Sequence, residues 1–165
     1  MSKNKNKKTN AARDLDALGI KYELIEYDVS HGFENGIKAA EQTGIPLGQT
    51  FKTLVTVGAS GEHYVCVIPV ARHLSLKRAA KYFGEKKIEM VKTQDIQRLT
   101  GYVHGGCSPI GMRRKFPTVI DSRALEHEEI SVSAGRLGMS FMLKTEDLIR
   151  AADAGTEDVS DEGPN

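Results

Sequence analysis

A glycine-rich stretch from residue 100 to residue 111, TGYVHGGCSPIG, carries the strongest chemical signal in the chain. It holds four glycines together with Ser108 and Pro109. Glycine allows backbone conformations and close approaches that a Cβ forbids, and successive N–H groups in such a loop can bind an anion or a polarised carbonyl. The stretch predicts either an oxyanion-binding loop centred on Gly105 and Gly106 or a plain turn.

Lys52 is the second candidate for chemistry. It follows Gln49-Thr50-Phe51 and opens the β-rich run KTLVTV, so it stands where a loop becomes a strand. A lysine in this position can enter a cleft and act as a compact charge on a phosphate or a carbonyl, and the adjacent Thr53 could donate its hydroxyl. The alternative interpretation is a solvated lysine at a strand end.

The cysteines and histidines give a weaker signal. Cys107 lies in the glycine-rich stretch, three residues after His104. A catalytic cysteine needs a lowered pKa and usually a partner base, and loop neighbours rarely have that geometry, so we favour a small apolar filler. The five histidines show no metal-site spacing, and we expect neither a metal nor a cofactor.

Polar residues also stand near the ends of late apolar runs. Asp121 ends the run TVID, and Ser133 precedes a tight turn, so either could line a site at a strand end. The cluster Arg113-Arg114-Lys115 follows the glycine-rich stretch. It suits phosphate contacts, although a solvated rim is the common alternative.

Composition excludes several classes of protein. The chain has 165 residues and a formal net charge of +1, so its total charge does not indicate a nucleic-acid binder. No run approaches the ~20 apolar residues of a membrane span, and no apolar segment follows the N-terminal lysines, which argues against a secretory signal. We expect a cytoplasmic protein.

The charges are concentrated at the two ends. Residues 1–8 carry four lysines and no acid, whereas residues 153–165 carry five acids and no base. Both segments are polar and poor in apolar residues, so we predict two disordered tails flanking one domain at residues 9–152.

The hydrophobic patterns predict interspersed helices and strands with no regular βαβ alternation. We expect an α+β fold with a mixed sheet curled into a barrel-like core and flanked by helices. Thr9 or Asn10, Asn35 and Ser75 suit helix starts, and Gly19, Gly44 and Gly84 suit helix ends. The predicted helices are 10–18, 35–43, 75–83, 93–99 and 145–152, and the predicted strands are 21–27, 52–57, 63–70, 87–90, 118–121, 130–133 and 140–143.

These segments together resemble the YbaK/EbsC family, which is related to the editing domain of prolyl-tRNA synthetase. The resemblance covers residues 9–152 in the expected order and is specific as a combination. It rests on GIKAA at 36–40, FKTLV at 51–55, PV at 69–70, residues 74–84, TGY at 100–102, GGCSPIG at 105–111, PTVID at 117–121 and VSAGRLG at 132–138.

The resemblance implies a single-domain aminoacyl-tRNA deacylase, most similar to the branch that clears Cys-tRNA(Pro). In that branch the substrate's own thiol attacks its ester carbonyl, so selectivity rests on thiol chemistry. Relatives usually carry an aliphatic residue in place of Cys107, which argues further against a nucleophilic role there. The resemblance implies catalytic roles for Lys52, Gly105 and Gly106 and substrate-binding roles for Tyr27, Phe33, Thr53, Ser108, Pro109, Asp121 and Ser133.

The implied partners are the 3′ end of an aminoacyl-tRNA and a prolyl- or cysteinyl-tRNA synthetase, and we expect a monomer. Two alternatives stay open at this point. One is a water-using deacylase of Ser- or Ala-tRNA with the same fold. The other is a non-catalytic module that binds tRNA or a synthetase.

Overall fold

A computed structural model describes residues 8–30 and 35–164. Within these residues, three β-sheets and five short α-helices enclose two hydrophobic clusters. The helices are α1 (Asn10–Ala17), α2 (Gly36–Thr43), α3 (Leu76–Phe83), α4 (Ile96–Thr100) and α5 (Thr145–Ala151). The strands are β1 (Tyr22–Glu26), β2 (Phe51–Gly58), β3 (His63–Pro69), β4 (Arg72–Leu74), β5 (Ile88–Met90), β6 (Thr118–Asp121), β7 (Glu129–Arg136), β8 (Met139–Lys144), β9 (Gly155–Glu157) and β10 (Ser160–Glu162).

The helix starts follow from side-chain capping. The Thr9 hydroxyl accepts a hydrogen bond from the N–H of Ala12 (3.1 Å). Asn35 and Ser75 cap α2 and α3 in the same way, each accepting from the N–H three residues later. Each cap satisfies an N–H group that has no partner within the helix. The predicted starts of these helices are confirmed.

The largest sheet has the strand order β5-β2-β3-β6-β9. Its centre is the predicted hairpin of β2 and β3, which are antiparallel from Phe51↔Pro69 to Val57↔His63. A second sheet has the order β1-β8-β7. The first two sheets approach at the start of β2, where Thr50 forms an isolated parallel bridge with Ser131.

The predicted α+β class with a mixed sheet is confirmed. The predicted closure into a barrel is not, because β2 meets β7 through that single bridge and the sheets stay separate. A further two-stranded sheet pairs β10 with β4. The helix at residues 93–99 divides into a 3-10 turn at Thr93–Asp95 and α4. Two other 3-10 segments, Leu47–Gln49 and Ser122–Glu126, lie outside the sequence predictions.

The predicted disorder of the acidic C-terminal segment is wrong. β9 continues the large sheet beside β6, and β10 pairs with β4. Val159 between them is fully buried in the second hydrophobic cluster. The acids are held by arginines, since the guanidinium of Arg78 donates to Asp161 (2.9 Å) and that of Arg123 donates to Asp158 (2.9 Å). The polar composition of the segment predicted disorder, because composition does not show that one buried valine and paired charges hold the segment on the fold.

Of the N-terminal tail predicted at residues 1–8, the structure describes only Lys8. Residues 1–7 lie outside the described residues, and Lys8 forms an ion pair with Asp16 of α1. None of the helices in the described ranges is long and apolar enough to cross a membrane.

Candidate active site

The main cleft has a volume of about 360 Å³ and follows the open edge of β2. The N–H of Val70 donates to the carbonyl of Thr50 (2.9 Å). Because backbone hydrogen bonds alternate along an antiparallel pair, Thr53 directs its own N–H and C=O away from β3. β5 covers that side at residues 56–58, and the N–H of Val91 donates to the carbonyl of Val55 (3.1 Å). Within the described residues no strand covers Thr53. The edge of β2 is therefore available to a ligand.

Lys52 lies in this cleft and is half-buried. Among the described residues its ammonium has no hydrogen-bond or ion-pair partner. Burial lowers its pKa from the ordinary value, because water that would solvate the charge is partly excluded. An unpaired, partly desolvated cation at the edge of a cleft is suited to bind or stabilise negative charge.

Two hydroxyls at the base of the cleft are unpartnered. Neither the Thr53 Oγ1 nor the Ser131 Oγ has a hydrogen-bond partner among the described residues, and both atoms are buried. Unpaired buried hydroxyls are costly and uncommon. Thr53 was predicted to bind substrate, and its position in the cleft beside Lys52 agrees with that role.

The opposite wall comes from Tyr27, which follows β1, and from β7 and β8. The backbone N–H of Tyr27 donates to the carbonyl of Gly138 (2.9 Å). Burial raises the pKa of Tyr27, so its phenol is neutral. Ser133 lies opposite Ser140 across the β7–β8 pair, and both line the cleft. Tyr27 and Ser133 therefore lie where they were predicted, whereas Phe33 falls outside the described residues.

The two predicted catalytic glycines, Gly105 and Gly106, lie in one turn at residues 103–106, the glycine turn. They differ in whether they line the cleft. The N–H of Gly106 donates to Val103 (3.0 Å) and closes the turn, so it is not free to bind an oxyanion. Gly106 does not line the cleft; a Cβ there would lie 3.0 Å from the Leu137 nitrogen. Gly105 does line the cleft and has φ +85°, as the third residue of a type II turn requires. Its N–H has no backbone acceptor among the described residues, which leaves Gly105 as the candidate donor.

Ser108, Pro109 and Asp121 lie outside the cleft, which corrects three positional predictions. Ser108 is fully buried, and its hydroxyl accepts from the N–H of Ile110 (3.3 Å). Pro109 faces a separate cavity of about 160 Å³ between the glycine-rich segment and α5. Asp121 is fully buried and accepts hydrogen bonds from the backbone and guanidinium of Arg123 and from the N–H of Val159. Ser108 and Asp121 therefore form hydrogen bonds within the fold around the cleft.

Cys107 does line the cleft but is not an activated thiol. It is buried beside Tyr102, and burial raises its pKa to about 12. A thiol with this pKa is protonated at neutral pH and is a poor nucleophile. The interpretation of Cys107 as a small apolar filler agrees with its environment.

The sequence prediction missed the side of the cleft formed by α2. The cap residue Asn35, Gly36, Ala39 and Thr43 all line it. The motif GIKAA belonged to the resemblance, but an amphipathic helix pattern does not say whether its inner face packs on a core or on a cleft. Other lining residues that were not predicted as site residues include Thr50, Met90, Ile96, His104, Ser131 and Ser140.

Comparison with known proteins identifies the family. The family model described as "Aminoacyl-tRNA editing domain" matches residues 36–151, which include Lys52, the glycine turn and the parts of the cleft formed by α2, β7 and β8, but not Tyr27. The chain belongs to the aminoacyl-tRNA editing domain family. The resemblance to the YbaK/EbsC branch is confirmed by a relative from Enterococcus faecalis, named "Putative Cys-tRNA(Pro)/Cys-tRNA(Cys) deacylase EbsC". It is 42% identical over 142 residues, covering 86% of this chain and 87% of the relative.

Two further comparisons extend this assignment. An Escherichia coli K12 protein named "Multifunctional Ser/Thr-tRNA deacylase ProXp-y" is 31% identical over 117 residues, covering 68% of this chain and 70% of that protein. The crystal structure of "a putative trans-editing enzyme for prolyl tRNA synthetase" superposes with a TM-score of 0.82 at 24% identity, covering 92% of this chain and 95% of the other. The structural likeness confirms the editing-domain fold.

Proposed function

We propose that this member of the editing-domain family is a trans-acting aminoacyl-tRNA deacylase that removes cysteine from Cys-tRNA(Pro). Family membership supports ester cleavage of aminoacyl-tRNA. The 42% identity to the protein named as a Cys-tRNA(Pro)/Cys-tRNA(Cys) deacylase supports cysteine as the amino acid. The non-catalytic alternative is less consistent with the cleft, because Lys52 and the glycine turn both line it.

The observation that carries the proposal is a cleft with an unpaired cation but no ionised nucleophile among the described residues that line it. The phenol of Tyr27 and the thiol of Cys107 line the cleft, and burial raises the pKa of both, so neither is ionised at neutral pH. A substrate that brings its own nucleophile removes this difficulty. The cysteinyl thiol is such a nucleophile.

The cleft would then act by positioning and by electrostatics. Holding the thiol sulfur ~3–3.5 Å from the ester carbonyl makes the attack effectively intramolecular. The free N–H of Gly105 would donate to the developing oxyanion, a contribution of about 3–4 kcal/mol in well-studied hydrolases. The open backbone edge at Thr53 offers polar contacts to the aminoacyl group.

Partners and assembly are part of the same proposal. The near-neutral net charge of +1 suggests weak intrinsic affinity for tRNA. We therefore expect the deacylase to bind the 3′ end as a monomer in the cytoplasm and to act together with a prolyl- or cysteinyl-tRNA synthetase.

The test is release of labelled cysteine from preformed Cys-tRNA(Pro), with Ser-tRNA and Pro-tRNA as controls. We expect fast release of cysteine alone, and a loss of at least ~100-fold in Lys52→Ala. Lys38→Ala is the matched control, because Lys38 is an exposed lysine on α2 that does not line the cleft. Release of serine at a similar rate would indicate a water-using site, and no release of any amino acid would contradict the proposal.

A further inference from the structure

The glycine-rich stretch forms a loop whose two ends meet. The N–H of Arg113 donates to the carbonyl of Thr100 (2.8 Å), which closes the loop at its base. The middle of the loop lines the cleft, through Gly105 and Cys107 among others. The cluster Arg113-Arg114-Lys115 lies at the base, is exposed and does not line the cleft. The proposed function does not use this cluster.

Two arginines of the cluster have no anionic partner. The guanidinium of Arg113 donates to the carbonyl of Arg98 on α4 (3.4 Å). The guanidinium of Arg114 lies over the ring of Phe116, 5.7 Å from its centroid. Neither forms an ion pair with a carboxylate among the described residues. Arg98, Arg113 and Arg114 are exposed, and together they form what we call the arginine surface.

The arginine surface carries a local excess of positive charge. Among the described residues, one carboxylate pairs with it, since Asp95 lies 3.5 Å from Arg98. The neighbouring Lys115 is already paired with Asp153 (3.3 Å). At the C-terminal segment, by contrast, guanidiniums donate to aspartates at 2.9 Å and hold β9 and β10 on the fold. The net charge of +1 for the whole chain therefore hides this uneven distribution.

We propose that the arginine surface binds the phosphate backbone of tRNA next to its 3′ end, while the aminoacyl ester lies in the cleft. This inference rests on the proposed function and adds a surface for the same partner. A guanidinium presents a planar fork of N–H donors that matches two phosphate oxygens. Contacts of this kind fix the position of a nucleic acid without reading its sequence.

The position of the arginine surface favours RNA over an acidic protein. Ile96 of α4 lines the cleft, and Arg98 follows it by two residues. The glycine-rich loop likewise connects the cleft-lining Gly105 to Arg113. An RNA whose 3′ end occupies the cleft continues as a chain of phosphates across a border of the cleft. The arginine surface adjoins the border that α4 and the loop form.

The number of phosphate contacts sets the salt dependence of binding, because each contact releases counterions. The logarithm of the association constant falls with the logarithm of the salt concentration by about 0.7–0.9 per contact. One contact each from Arg113 and Arg114 adds about 1.4–1.8 to this slope. Between 50 and 200 mM salt, wild type should therefore lose about 7 to 12 times more affinity than a variant without both charges.

The experiment measures binding of uncharged, fluorescently labelled tRNA(Pro) by anisotropy between 50 and 200 mM KCl. It compares wild type with Arg113→Gln/Arg114→Gln and with Lys77→Gln/Lys81→Gln. The lysine variant is the matched control, because both lysines are exposed on α3, none of whose residues lines the cleft. Each variant removes two positive charges, so the two have the same net charge. We expect the change in salt dependence in the arginine variant alone.

Deacylation gives a second measurement. In the arginine variant, KM for Cys-tRNA(Pro) should rise with kcat unchanged, whereas kcat/KM for a cysteinyl ester of adenosine alone should stay as in wild type. Arg113→Lys/Arg114→Lys keeps both charges and should restore the salt dependence. A purely structural role of the two arginines would not give this rescue.

Unchanged salt dependence in Arg113→Gln/Arg114→Gln would overturn the inference, as would an equal change in the lysine control, because net charge alone would then explain it. Absence of tRNA binding by wild type at 50 mM KCl would overturn it as well. Failure of the proposed function is distinguishable, since wild type would then release cysteine from neither ester. The binding of uncharged tRNA tests the arginine surface in either case.

Discussion

The buried carboxylate of Asp121 accepts a hydrogen bond from the backbone N–H of Val159 at 3.0 Å, across 38 residues of sequence. The same carboxylate accepts from the guanidinium of Arg123 (3.1 Å). Arg123 in turn reaches Asp158, next to Val159. Asp121 therefore fastens the C-terminal segment to the large sheet, at a position where the sequence had suggested a substrate ligand.

Asp121→Ala should lower the free energy of unfolding without abolishing deacylation. It leaves a buried N–H and a guanidinium without their acceptor, which costs about 2–3 kcal/mol. Urea unfolding should measure this loss, and kcat at a temperature where the variant stays folded should be near that of wild type. Asp121→Asn keeps one acceptor oxygen and should lose less. An unchanged stability together with a collapsed kcat would restore the substrate-binding role.

The C-terminal segment and the helix starts together show which parts of the fold could be predicted from the sequence. Helix starts at Thr9, Asn35 and Ser75 were predictable because capping is local, and the β2–β3 hairpin because its pattern and turn are local. The pairing of β9 with β6 depends on contacts between distant residues, and no short window contains both partners.

The predictions for the cleft show the same difference between local patterns and contacts between distant residues. Lys52, Thr53 and Gly105 line the same cleft, and their roles in it stay predictions. Their positions could be predicted because each lies in a short motif that carries the resemblance. Ser108 and Pro109 belong to the same glycine-rich motif but face away from the cleft. A motif does not specify which side of a loop each residue takes, and that choice depends on the neighbouring elements.

The C-terminal segment should detach first in acid. Arg123 lowers the pKa of the Asp158 carboxyl, chiefly through their hydrogen bond. Because the folded-state pKa is below the unfolded one, this contribution is present above pH ~4 and disappears as the pH falls through the folded value. Amide exchange of residues 155–162 should therefore accelerate at low pH before that of β2 and β3. Asp158→Asn should remove most of this pH dependence, and synchronous loss of both regions in wild type would contradict it.

Tyr102 should hold the glycine-rich segment in place. Its buried hydroxyl donates to the carbonyl of Ile110 (2.6 Å), which ties the two ends of the segment together. Tyr102→Phe leaves that carbonyl unpaired and should cost about 1–3 kcal/mol in the free energy of unfolding. Tyr22→Phe is the matched control, because its hydroxyl contacts Asp16 in an exposed position (3.1 Å). Equal losses in the two variants would contradict the assigned role.

Cys107 should be chemically inert in the folded protein. Because burial raises its pKa to about 12, the thiolate fraction is negligible between pH 6 and pH 9. Alkylation by iodoacetamide should therefore be slow in the native state and become fast in urea. Cys107→Ala should keep deacylation within about threefold of wild type, and a loss comparable to that of Lys52→Ala would reverse the assignment.

Lys52 should lower the stability of the protein while it supports activity. Burial lowers its pKa below the unfolded value near 10.5, so the unfolded chain binds more protons between the two values and stability rises with pH there. The cost of burying the cation is therefore largest at neutral pH and disappears as the pH approaches 10.5. Lys52→Met should gain up to about 1 kcal/mol at pH 7, a gain that shrinks with rising pH, while deacylation is lost. Thermal unfolding across this pH range measures the difference, and a Lys52→Met variant less stable than wild type at pH 7 would show that the cation contributes favourable contacts.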